Sequence, residues 1–258
     1  GTGGAVTIAA SQTLTTGDAN DTVFAGVISG SGGITKQGAG KFTLSGTNTY
    51  TGTALITAGT LELGASDVLH NSSLVNVNGG TLSITDKSDT VDTVTLTDGS
   101  ITGSTGVLTS TNTFDVRKGS VSALLGGIAG LTKTTGDVVT LSGANTYTGT
   151  TQIDAGTLAL GASNVLADAS LVNVNGGTLS ITDKSDTVDT VTLTDGSITG
   201  STGVLTSTNT FDVRKGSVSA LLGGIAGLTK TTGDVVTLSG SNTYTGLTTI
   251  SAGTLELQ

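Results

Sequence analysis

Leu74-Val75-Asn76-Val77-Asn78-Gly79-Gly80-Thr81-Leu82-Ser83-Ile84-Thr85 stands in the chain twice, the second time at Leu171–Thr182. In each copy, two short runs alternate apolar and polar residues, the period of a strand with one buried face. The next such run, Thr190-Val191-Thr192-Leu193-Thr194, follows the same rule, with Val191 and Leu193 inward and the threonines outward. Asn-Gly-Gly joins the first two runs. Asn-Gly suits the paired positive φ angles of a hairpin turn. It equally suits a tight corner between two strands of one coil. The coil-like sequence around it favours the corner.

The duplication reaches far beyond these twelve residues. Residues 73–143 recur unchanged as 170–240, and the only three tyrosines, Tyr50, Tyr147 and Tyr244, lie 97 residues apart. Lys36, Lys133 and Lys230 keep the same spacing, as do Gly46, Gly143 and Gly240. The repeat units are a partial copy over 1–32, full copies over 33–129 and 130–226, and a partial copy over 227–258. Within the unit, further strand-like pieces at 203–207, 211–214, 235–238 and 254–257 are each bounded by Gly, Asn, Asp or Ser. No helical stripe interrupts them, and Glu62 and Glu256 are the only glutamates. A sandwich, a propeller and a β-solenoid all use many short strands. A propeller must close on a whole number of blades, whereas an open stack tolerates partial copies. The unit divides into about five coils of about 20 residues, the size of a solenoid turn. The expected fold is therefore all-β, one continuous β-solenoid over residues 1–258, with about 13 coils. With strands ~4.8 Å apart, one unit would advance about 24 Å and the chain about 60 Å. A narrow lumen of this kind is expected to be filled by small aliphatic side chains, with little room for aromatics.

Composition fits that plan and excludes others. Gly supplies 41 of 258 residues, and Pro, Cys, Met and Trp are absent. Without Cys there is no disulfide framework, zinc-thiolate site or thiol nucleophile. A net charge of −9 argues against nucleic acid as a partner. Low charge content with recurring Val, Ile and Leu argues against disorder. The longest apolar run, 123–131, is too short to span a bilayer as a helix, and no alternating strands with aromatic girdles suggest a membrane barrel. The chain opens on Gly1, not Met, which reads as a processed or excised segment.

The most distinctive sequence occurs three times, at 33–64, 130–161 and 227–258. Its shared core is Leu-Ser-Gly-x-Asn-Thr-Tyr-Thr-Gly, followed by Ile-x-Ala-Gly-Thr-Leu-x-Leu. This resembles the passenger-associated transport repeat, also called the autotransporter-associated β-strand repeat. The preceding segment, 23–33, resembles the usual lead-in to that motif. The resemblance implies a right-handed parallel β-helix outside the cell or on the bacterial surface, with a structural or secretion-assisting role and no catalytic residue. Unlike a full autotransporter, this sequence contains no translocator barrel.

Candidate chemistry is sparse. His70 is the only histidine, and its counterpart one unit later is Ala167. No Gly-x-Ser-x-Gly nucleophile turn accompanies it, so it reads as an exposed turn residue rather than the base of a triad. Phe114-Asp115-Val116-Arg117-Lys118, repeated at 211–215, places Asp and Arg outward on one face. That is an i,i+2 surface ion pair, or, in the enzyme alternative, an anionic-sugar site with Arg117 as clamp. The acidic segments 85–92 and 17–21 raise the question of calcium, but neither matches a calcium-binding loop. Thr-x-Thr pairs raise an ice- or carbohydrate-binding face, yet they do not recur once per coil. No phosphate loop is present. We therefore expect no catalytic, cofactor-binding or metal-binding residue, and no cofactor. The expected role is a non-enzymatic extracellular stalk, fibre or adhesin shaft with a host, surface or glycan ligand and no membrane insertion in this segment. Neither end carries a polar capping coil, so end-to-end self-association into fibres is also expected.

Overall fold

The computed structural model describes residues 3–258. Among the described residues there are strands and turns and no helix. The strands pair in parallel, each with the equivalent strand about 20 residues on, which is a β-solenoid. Two compact units divide after Ala129, where the second full sequence copy begins.

In the second unit, one face of the stack is formed by Leu131–Lys133, Thr151–Ile153, the starts of Leu171–Thr182 and Thr190–Gly200, Phe211–Val213, Leu228–Lys230 and Thr248–Ile250. Register partners along this face step by 20, 21, 19, 20 and 17 residues, so five turns carry Leu131 to Leu228. A second face runs through Val138–Leu141, Thr157–Leu160, the ends of the two long strands, Gly216–Val218, Val235–Leu238 and Thr254–Leu257. A third face holds Asp186–Val188, Val204–Ser207 and Leu221–Gly223, and irregular backbone elsewhere. The first unit has the same three faces. Counting first-face strands among the described residues gives six turns in the first unit and seven in the second, about 13 in all.

The Asn-Gly-Gly sequence forms the corner between the first and second faces. Leu74–Thr85 stays parallel to Thr93–Gly103 on both sides of it, with a register irregularity at the corner and no hairpin. Glycine is needed at Gly99 and Gly119. Gly99 and Gly119 have φ of 102° and 116°. A Cβ on Gly119 would lie 2.1 Å from the carbonyl oxygen of Gly99 in the turn before.

Interior residues line up in register. Ile56, Val77, Leu96 and Val116 stack on Lys36 in the first unit. All five are fully buried or nearly so. Each aliphatic member contributes roughly 1.5–3 kcal/mol of burial. The expectation that aromatics would be kept out is corrected here. Tyr50, Tyr147, Phe114 and Phe211 are among the largest fully buried side chains. Phe211 also has an aromatic neighbour, Tyr244, with ring centroids 6.2 Å apart.

Candidate functional site

The residues singled out from sequence do not converge on one site. His70 lies on the turn between the third face and the first-face strand that starts at Leu74, where its Nδ1 accepts the Ser72 amide at 3.2 Å. Asp115 and Arg117 flank the buried Val116 and point outward, as their alternation predicts. Both Nε and an Nη of Arg117 bond the same Asp115 oxygen, at 2.8 and 2.7 Å. Arg214 and Asp212 repeat this geometry. Each guanidinium is thus occupied by its own strand's carboxylate, and Lys118 beside it is paired to Asp98 at 2.8 Å.

The acidic segments scatter their carboxylates. Asp86 binds Lys87, Asp89 turns into the core, and Asp92 accepts Asn112 Nδ2 and Thr111 Oγ1 from the following turn. Asp18 caps the Asn20 amide, which holds its carboxyl below the usual range, and Asp21 accepts the Lys41 amide. Among the described residues no three His, Asp or Glu side chains gather as a metal site. The outward first-face stack of the second unit reads Thr132, Gln152, Asn173, Thr192, Asp212, Thr229 and Thr249. This is a mixed polar ladder, tied by Asn173 to Gln152 at 2.8 Å and Thr194 to Asn173 at 2.8 Å. It lacks the uniform threonine spacing of a lattice-matching face. A shallow groove of about 450 Å³ crosses the first unit, lined by Gln12, Gly32, Gly33, Leu55 and Asn76 among others. No titratable side chain lines it, so it offers no proton-transfer chemistry.

What unites the three distinctive segments is buried polar structure. Lys36, Lys133 and Lys230 are fully buried. Lys36 Nζ donates to the carbonyls of Gln37, Gly38 and Ala58 at 2.9, 2.9 and 3.1 Å. Burial lowers its pKa, with Asp18 and Asp21 opposing the shift. Lys133 and Lys230 each donate to the carbonyl and hydroxyl of a threonine two residues on, Thr135 and Thr232. Asn48 joins three turns: its Oδ1 accepts the Ile28 amide at 2.8 Å, and its Nδ2 donates to the Val68 carbonyl at 2.9 Å. Tyr147 Oη bonds Thr151 at 2.7 Å. Ala54 stands at the equivalent position near Tyr50, whose hydroxyl is unpartnered. Sequence reasoning missed these internal roles, although Lys36 already sat at inward parity in Ile34-Thr35-Lys36.

Residues 34–63, 131–160 and 228–257 match the passenger-associated-transport-repeat family. These are the segments that carry the buried lysine and the Asn-Thr-Tyr sequence. The chain carries autotransporter passenger repeats. It is also 34% identical over 256 aligned residues to the protein named "Adhesin BmaC autotransporter" of Brucella suis biovar 1 (strain 1330). That alignment covers 85% of this chain and 7% of the Brucella protein. No solved structure matches the chain. Passenger repeats place this β-solenoid segment at the cell surface or outside the cell. No helix is long and apolar enough to cross a membrane among the described residues.

Proposed function

We propose that the chain is a non-enzymatic shaft segment of an adhesin, in which the repeat units run on as one solenoid over residues 1–258 and hold a surface- or glycan-binding region away from the cell. The observation that carries this reading is the exact copying of 73–143 as 170–240. Even the outward Asp–Arg pair is duplicated, at 2.7 and 2.8 Å. An active site is a singular constellation, and copying it along a scaffold multiplies sites that one would serve. A spacer gains reach with every copy, because stability in a stack is a sum of local interfaces. The adhesin name of the Brucella relative supports attachment to a host or other surface as the role of the whole protein.

The test is a length series. Chains carrying one to four extra 97-residue units, imaged by rotary shadowing, should show contour lengths rising by about 24 Å per unit. Particles that stay compact as units are added would overturn the shaft.

A further inference from the structure

Asn48 and Asp89 belong to one ladder on the third face, two turns apart. Asn48 uses both ends of its amide, accepting from the turn before and donating to the turn after. Asp89 reproduces half of that pattern. Its Oδ2 accepts the amides of Val68 and Leu69 from the turn before, at 2.9 and 3.0 Å. Its Oδ1, the counterpart of the Asn48 nitrogen, is buried and has no hydrogen-bond partner. Asp186 in the second unit does the same, taking the Val165 and Leu166 amides at 2.9 and 3.0 Å and leaving Oδ1 unpartnered. The two aspartates are 2% and 1% exposed.

No cation acts on either carboxyl. Tyr50, Asp67 and the Thr90 amide act on Asp89, and Tyr147, Asp168 and the Thr187 amide act on Asp186. The strands stacked beyond Asp89, Val107–Ser110 and Leu124–Gly126, contain no titratable residue. His70 lies near the Asp89 turn with its Nδ1 on the Ser72 amide, and Ala167 replaces it beside Asp186, so the arrangement does not depend on a histidine. A carboxylate oxygen buried without a donor is costly; a carboxyl group in its place can itself donate.

We propose that Asp89 and Asp186 are proton-operated latches: each takes a proton from solvent onto its unpartnered Oδ1, becomes a neutral carboxyl and donates to the turn stacked beyond, as Asn48 does. The third face then tightens in mildly acidic surroundings and loosens above neutrality. Burial raises both carboxyls to about 6, against the pull of the amide hydrogen bonds. A folded pKa above the unfolded value means that the folded chain binds more protons. The latch is weakest above about pH 6 and gains strength as pH falls towards about 4, on the order of a hundredfold per site in the local opening equilibrium. Carboxylates held low by partners, such as Asp86 and Asp98, lose their contribution only below that window.

The test compares the full chain with Asp89→Asn/Asp186→Asn. In wild type, exchange protection of the Val68, Leu69, Val165 and Leu166 amides, corrected for the intrinsic pH dependence of exchange, should rise from pH 8 to pH 5. The double variant should be more protected than wild type at pH 8 and flat with pH. A variant that is less protected at pH 8, or that keeps the wild-type slope, overturns the proposal. Carboxyl-carbon NMR titration of the unaltered chain reads the sites directly: midpoints well above those of the exposed aspartates support it, and ordinary midpoints overturn it.

Discussion

Asn48 shows how much one side chain holds. Asn48→Ala would orphan the buried Ile28 amide and remove one of the two donors on the Val68 carbonyl, leaving the backbone amide of residue 48. Leaving buried polar groups unpaired costs roughly 1–3 kcal/mol, so the urea midpoint should fall accordingly, with faster exchange at Ile28. Sequence gave notice of some such residues and hid others. Period-two alternation marks Val77 and Leu96 as inward and Asp115 and Arg117 as outward, and the structure places them so. It also assigns Lys36 to the interior, a reading that hydrophobicity alone rejects because a buried charge needs partners. Those partners are backbone carbonyls at a corner, two from its own turn and one from the next. They appear only once the turns are stacked. The same holds for Asp89, whose neighbour in space, Val68, is 21 residues away.

At the scale of elements, the corner column sets how closely turns approach. Gly119→Ala should cost about 1–3 kcal/mol in backbone strain alone, because Gly119 sits at φ 116°. The clash with the Gly99 carbonyl adds to that. Thermal unfolding of the variant, beside a Ser120→Ala control one residue along, would check it; equal midpoints would show that the corner relaxes freely. Strands with clear alternation were legible, long or short, including Leu171–Thr182, Phe211–Val213 and Val235–Leu238. Glycine-containing strands such as Gly216–Val218 and Leu221–Gly223 were not, since over so short a span one glycine masks the period. Parallel pairing, on both sides of Gly216–Val218 and on one side of Leu221–Gly223, makes them strands where local propensity does not.

For the molecule as a whole, the charge inventory closes. The chain has 10 Lys and Arg. Three lysines, Lys36, Lys133 and Lys230, are fully buried. The others, Lys41, Lys87, Arg117, Lys118, Lys184, Arg214 and Lys215, all pair with Asp or Glu. With a net charge of −9, the exterior presents acid without uncommitted base. Binding to polyanions relies on releasing their counterions with free cationic side chains. The protein should therefore flow through heparin and DNA columns at physiological ionic strength; retention on either would show that these ion pairs exchange partners readily. The five register steps from Leu131 to Leu228 have a different consequence, one for the gene. They bring the chain back to an equivalent strand after exactly one copy, and the join from Phe211–Val213 to Leu228–Lys230 is already made of repeated sequence. Recombination between identical stretches of DNA can insert or excise a whole copy there without creating a junction that folding has not met before. Reach becomes a trait adjustable by copy number, with no new side-chain packing to select.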